Sequence, residues 1–444
     1  MPKRNAILLV AACLVGLVAL AARERTGRAQ RLGEVFGAIE RSYYQPVDQE
    51  RLFEAAVEGA IATLDEHSAY LRDDGRDALP SLLHQQFGGV GLELAVDAAA
   101  REPVVVAPVF RGPAWRAGIS AGDRITAVNG QSTSGRPLRE IVQRLRGPIG
   151  ESVRLTILPS RRPAATLDPA DAAARGAARD ATLVRELVEV ESVQGDRRLA
   201  DGSWEWMLEG EPGVAYVRIT TFGERTAAEF TAAVEAIAAA GGLRGLVLDL
   251  RDSPGGLLEA AAAVSDMLLD GGLIVVTRGR QGGGNRVDER RAEAGESLAG
   301  VPVAVIVNGL SASAAEIVAA CLQDAGRGTI VGSRTFGKGT VQSLLPLADG
   351  LLKLTTSEYL RPSGMPIHRR PGAGDDEAWG VLPDAGFEVT PTAEAVARLR
   401  DWQRRRGLVS PPQAPPAAAA SGDALPREID ALLARALDVF AAAD

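Results

Sequence analysis

Two side chains in the segment 301–342 could together cut an amide bond. Ser313 heads a small-residue stretch, SASAAEIVAACL, and Lys338 stands between two glycines in GSRTFGKGTVQ. A serine hydroxyl is a poor nucleophile until a neighbouring base takes its proton. A lysine can be that base only as a neutral amine. Its pKa must then move from about 10.4 towards roughly 7–8, a shift costing about 4 kcal/mol. Apolar runs on both sides of the segment, Val303–Val307 and Thr329–Val331, could supply the dry surroundings that such a shift requires.

Plainer readings compete with this one. Ser313 and Glu316 fit the S-x-x-E capping box, in which the hydroxyl only satisfies a free backbone N–H. Lys338 fits an ordinary loop lysine. Gly332 to Lys338 also matches GxxxxGK, but Gly339 follows where a phosphate loop needs Ser or Thr for magnesium. The next residues, TVQSLLPL, look extended rather than helical, so the phosphate reading loses. Around the two residues the pattern predicts a buried strand over Val303–Val307, a break at Asn308-Gly309 and a helix starting near Ser313. A second short strand over Thr329–Val331 then leads into the glycine-rich loop.

NGLSASAAEI followed by GSRTFGKGTVQ resembles the catalytic segments of the carboxyl-terminal processing peptidases, or tail-specific proteases. The resemblance implies Ser313 as nucleophile, Lys338 as general base, and Gln342, four residues later, as the residue that orients the lysine. LDLRDSPGG resembles the family's LDLRxNPGG. Acyl transfer needs two donors aimed at the developing oxyanion, assigned here to the Ala314 N–H and to Gly255 or Gly256. Standing alone, Pro254-Gly255-Gly256 would read as a plain strand-to-helix turn. LKLTTSEYLRPSGMPI and GVLPD extend the match.

Phe87–Leu158 carries a different pattern of short strands and two helical pieces, and AGISAGDRITAVNG makes it look like a PDZ domain. By that resemblance, amides around Gly89, Val90, Gly91 and Leu92 hold a peptide's terminal carboxylate, and the strand from Leu92 pairs with the peptide by β-augmentation. The stretch 161–181 is rich in Ala, Arg, Pro and Asp and reads as a mobile insert.

At the N-terminus, Lys3 and Arg4 precede the uncharged run Ala6–Ala22, so residues 1–30 read as a signal peptide or a membrane anchor. Both versions export the rest of the chain to a periplasmic or other extracytoplasmic space. Arg31–Leu71 has helical periodicity, and LDEHSAYL resembles the family's LDPHSxYL, with Glu66 where proline is common. His67 is read as structural and His368 as a surface residue. Residues 396–444 read as a Pro/Ala linker and a last amphipathic helix.

The 444 residues, 46% apolar and 24% charged, suit two or three globular domains. A net charge of −8 and 4% aromatics argue against nucleic-acid partners. Two cysteines build no disulfide framework, and three histidines leave Ser-His-Asp and zinc mechanisms poorly supplied. The expected fold is α+β and multidomain: N-terminal helices (31–86), a PDZ domain (87–160) and an α/β, crotonase-like protease core (182–395). The expected function is an exported serine endopeptidase that captures unfolded or tail-exposed polypeptides and works without metal or cofactor. Two rivals stay open at this point, a catalytically silent PDZ scaffold and a resting protease that needs an adaptor. A homo-oligomer, and attachment to the membrane through an uncleaved N-terminal segment, stay open with them.

Overall fold

A computed structural model describes residues 27, 29–71, 84–97, 101–160, 177–281, 284–347, 350–411 and 426–441. The expected signal or anchor and most of the expected insert lie outside the described residues. Among the described residues no helix is long and apolar enough to cross a membrane. The chain divides into two compact units, 1–74 with 342–355, and 75–341 with 356–444.

The larger unit is built on a sheet in which Val214–Ile219, Gly245–Asp249, Val303–Val307 and Gly328–Gly332 run parallel in that order. Gly245–Asp249 and Val303–Val307 are buried at every position, as strands covered on both faces must be. Their side chains alternate between two cores. Leu246, Leu248, Val303, Val305 and Val307 face the helices Thr226–Ala240, Leu258–Met267 and Ala314–Asp324. Val247, Ala304 and Ile306 face the C-terminal helix Ala431–Ala441 through Leu432, Leu433 and Phe440. That helix fits closely, since a side chain on Gly245 would strike the Phe440 ring at 2.4 Å.

The PDZ-like module has its own core, including Val105, Ile125, Ile141, Val153 and Leu155. Its sheet follows the order Leu92–Asp97, Glu102–Pro108, Arg124–Val128, Ser152–Leu158, Arg179–Val184. The last strand is a departure from expectation. Arg179, Asp180 and Ala181 belong to it rather than to an insert, because the ladder with Ser152–Leu158 satisfies their backbone. The next strand, Glu186–Glu189, pairs with Gln86–Gly89, so LVRELVEV completes this module rather than the catalytic core. The module is fastened to the core by Trp115, whose indole N–H donates to the Val409 carbonyl at 2.9 Å.

The smaller unit contains a helical run at 29–42 and the helix Gln49–Ile61. Asp48 caps the latter by accepting from the N–H of Glu50 and Arg51. Ala69–Leu71 pairs antiparallel with Leu351–Lys353. A helix over Ala393–Arg406 stands where a linker was expected to begin. The terminal helix is interrupted at Asp430, with Pro426–Ile429 before it.

Candidate active site

Val303–Val307 delivers the chain to a tight turn that ends at Ser313, the residue before the helix Ala314–Asp324. Ser313 has φ 56° and ψ −115°, a left-handed conformation that costs a non-glycine residue roughly 1–3 kcal/mol. An ordinary N-cap sits in the extended region, so a capping role does not explain this backbone. The turn is held from several sides. The Ala312 N–H donates to the Ser253 carbonyl (2.9 Å) and the Ile317 N–H to the Ser313 carbonyl (3.0 Å).

Glu316 is the hub of the arrangement. Its side chain is fully buried and accepts four hydrogen bonds. Oε1 takes the Thr335 hydroxyl (2.6 Å) and the Gly337 N–H (2.7 Å). Oε2 takes the N–H of Ser313 and the N–H of Lys338, each at 2.8 Å. The two amide nitrogens are therefore no farther apart than twice that distance. Burial pushes the Glu316 carboxyl up from its ordinary value, and the four donors pull it the other way. The lysine loop is clamped further by Phe336 N–H to Ser311 O (3.0 Å), Thr335 N–H to Val381 O (3.1 Å) and Arg369 N–H to Gly337 O (2.8 Å).

The turn after Gly245–Asp249 lies against the serine. A side chain on Gly255, whose φ is 85°, would meet the Ala312 carbonyl at 2.5 Å, the Ala314 nitrogen at 2.7 Å and Ser313 Cβ at 2.8 Å. Only glycine fits there. Gly256 is as crowded on its other side, by the Phe222 carbonyl. Among the described residues the N–H groups of Ala314, Gly255 and Gly256 donate to no other group. Gly255 and the Ala314 nitrogen thus lie close beside Ser313.

Residues 213–385 match the family model described as peptidase family S41, and residues 104–159 match a PDZ domain. The chain is 35% identical over 364 residues to a carboxy-terminal-processing protease of Bartonella bacilliformis, covering 81% of this chain and 74% of that one. It is 31% identical to the carboxy-terminal processing protease CtpA of Bacillus subtilis, covering 82% and 70%. The chain belongs to the PDZ-bearing carboxy-terminal processing proteases of family S41. The crystal structure of a Bacteroides fragilis protein assigned to the S41 proteases shares the fold, with TM-score 0.51, 18% identity, and coverage of 91% of this chain and 92% of that one.

In this protease, Gln342 lies in the smaller unit on the strand Thr340–Leu347. Its Nε2 donates to the Thr355 hydroxyl (3.3 Å), which donates to Asp65 Oδ1 (3.0 Å). A carboxylate only accepts, so the direction of both bonds is set. The nitrogen end of the Gln342 amide is committed to Thr355. Asp65 also accepts from the N–H of His67 (2.8 Å) and from the N–H (2.9 Å) and hydroxyl (3.0 Å) of Ser68. The LDEHS motif thereby reaches the glutamine through one threonine.

In the PDZ domain, Gly89 ends a strand paired with Glu186, Val90 is buried, and Gly91 has φ 71°. The carbonyls of Val90 and Gly91 accept from the N–H of Ala114 and Val109, both at 3.0 Å, while their own N–H groups have no partner among the described residues. Leu92 opens the edge strand of the sheet, which packs beside the helix Leu138–Leu145.

Sequence reasoning missed three participants: Glu316 as a hub, Thr335, and Tyr359. Burial pushes the Tyr359 hydroxyl up to about 12, with the Ser313 side chain pulling the other way. SEYL had matched the family pattern without revealing what the tyrosine touches. His368 is not a plain surface residue either. It is half-buried, and its backbone abuts Gly339, because the loop at 366–381 packs on the lysine loop.

Proposed function

We propose that this serine-type protease cuts unfolded or tail-exposed polypeptides with Ser313 as nucleophile and Lys338 as general base. One observation carries the assignment: both residues hang their backbone N–H on the same Glu316 oxygen, 2.8 Å each, beside a glycine turn with unused donors. A neutral Lys338 amine takes the Ser313 proton as Oγ attacks the scissile carbonyl. The Ala314 N–H, with that of Gly255 or Gly256, stabilises the oxyanion. The resulting ammonium protonates the leaving amine, and water then hydrolyses the acyl-enzyme. Gln342 is assigned the orienting role from its place four residues after Lys338 in GKGTVQ.

The PDZ domain takes the C-terminal tail, with the Val90 and Gly91 amides for its carboxylate, flanked by Gly89 and Leu92, and the edge strand for its backbone. We read the core as crotonase-like on the strength of its parallel sheet with helices between the strands. The protein works outside the cytoplasm, exported by the apolar run behind Lys3 and Arg4. Cleavage of that run, an adaptor and self-association are the open variables of this reading.

The test incubates the full chain with an unfolded protein. Ser313→Ala and Lys338→Ala should each lower turnover roughly 10⁴-fold or more while leaving the circular dichroism spectrum unchanged. Wild-type turnover in either variant would refute the dyad. No turnover by the unmodified chain, together with tight binding of a tail peptide, would favour a tethering scaffold.

A further inference from the structure

The turn that carries Gly255 and the turn that carries Ser313 follow neighbouring strands of the parallel sheet, and Asp252 ties one to the other. Its N–H donates to Asn308 Oδ1 at 3.1 Å, and Asn308 Nδ2 donates back to Asp252 Oδ1 at 3.0 Å. Asn308 Oδ1 also accepts the Leu310 N–H at 3.1 Å, so both ends of the amide are engaged. From the helix Ala393–Arg406, Arg400 grips the same carboxylate with Nε at 3.2 Å and Nη2 at 3.0 Å. Burial pushes the Asp252 carboxyl up, but Arg400 and Asn308 outweigh it and hold the group below its usual value, in its accepting form. The Asp252 backbone has φ 60°, a left-handed setting that Asp adopts more readily than most residues.

We propose that Asp252 is a positioning residue, which sets the Gly255 turn against Ser313 through Asn308 and Arg400. The inference rests on the Ser–Lys reading above and on its oxyanion assignment. Little slack separates Asp252 from Gly255. The Ser253 carbonyl is held by the Ala312 N–H at 2.9 Å, and Pro254 has a locked φ. The ion pair itself is partly open to water, with Arg400 52% and Asp252 24% exposed, so it adds little to stability. Its effect is on where the Gly255 backbone stands. An oxyanion donor acts only if it points at the place where charge develops in the transition state. A displaced turn therefore slows the chemical step and leaves substrate affinity alone.

The experiment compares wild type, Asp252→Gly, Asp252→Asn, Arg400→Ala and Ser313→Ala as full chains turning over an unfolded protein. Each is also titrated with a peptide aldehyde, to whose carbonyl carbon Ser313 Oγ adds, leaving an oxygen in the oxyanion position. Glycine accepts the left-handed φ but has no carboxylate, so Asp252→Gly should lose about tenfold in kcat with KM unchanged. Its affinity for the aldehyde should fall by about the same factor. Asp252→Asn keeps an oxygen for Asn308 and should recover most of the loss. A merely structural role would lower the fraction of folded enzyme and leave the aldehyde affinity of that fraction intact. Wild-type kcat in Asp252→Gly, a loss confined to KM, or an unchanged aldehyde affinity overturns the proposal. Should Asp252→Gly fail to fold, Arg400→Ala decides: a roughly threefold fall in both kcat and aldehyde affinity supports the proposal, and wild-type values overturn it. Full activity in Ser313→Ala would instead sink the Ser–Lys reading, so the two failures are distinguishable.

Discussion

A single carboxylate does for Ser313 and Lys338 what a metal or a disulfide does elsewhere, by joining two distant pieces of chain at one point. Glu316 receives two donors on each oxygen. An amide cannot replace it, because one end would present N–H groups to two other donors. Glu316→Gln should therefore destabilise the fold by about 3 kcal/mol through unsatisfied buried groups, read as a lower urea midpoint. Any folded fraction should turn over at least about tenfold more slowly, because the serine loses the bond that holds its left-handed backbone. Ser313 and Lys338, the proposed dyad, were legible as candidates because a nucleophile and a base need particular residue types at particular places. Thr335 was not, because its hydroxyl matters only through neighbours that tertiary packing brings.

At the scale of elements, the buried strands were easy to read, since Val303–Val307 is an unbroken β-branched run and the helix after it starts where small residues begin. The role of LVRELVEV was not legible, because alternation predicts a strand without saying which sheet it joins. The Arg-rich helix Ala393–Arg406 was also missed, since its low apolar content hides the period that marks a helix. The turn Asp65–Ser68 carries a testable property. Burial pushes the Asp65 carboxyl up, but bonds from His67, Ser68 and Thr355 outweigh it and hold the group below its usual value. The stabilisation is present above the ordinary carboxylate range and is lost as pH falls through the depressed value. Exchange of the His67 and Ser68 amides, corrected for its intrinsic rate, should accelerate across that interval. Asp65→Asn should exchange quickly throughout and show no such step.

Over the whole molecule, the last helix of the chain is part of the catalytic core. Asp430 Oδ2 meets Arg251 at 2.6 Å, and Arg251 is also bound to Asp249, which accepts from the Tyr216 hydroxyl. This cluster is buried, and Arg251 follows the strand that leads to the Gly255 turn. Asp430→Ala should cost about 3–5 kcal/mol, because it strips one partner from a buried guanidinium. A fall in the thermal midpoint, with tail-peptide affinity unchanged, is the expected outcome. The fit of Phe440 against the bare backbone of Gly245 has one more implication. The helix Ala431–Ala441 is keyed to one place on the sheet, because any residue larger than glycine at 245 would push the ring out of the core.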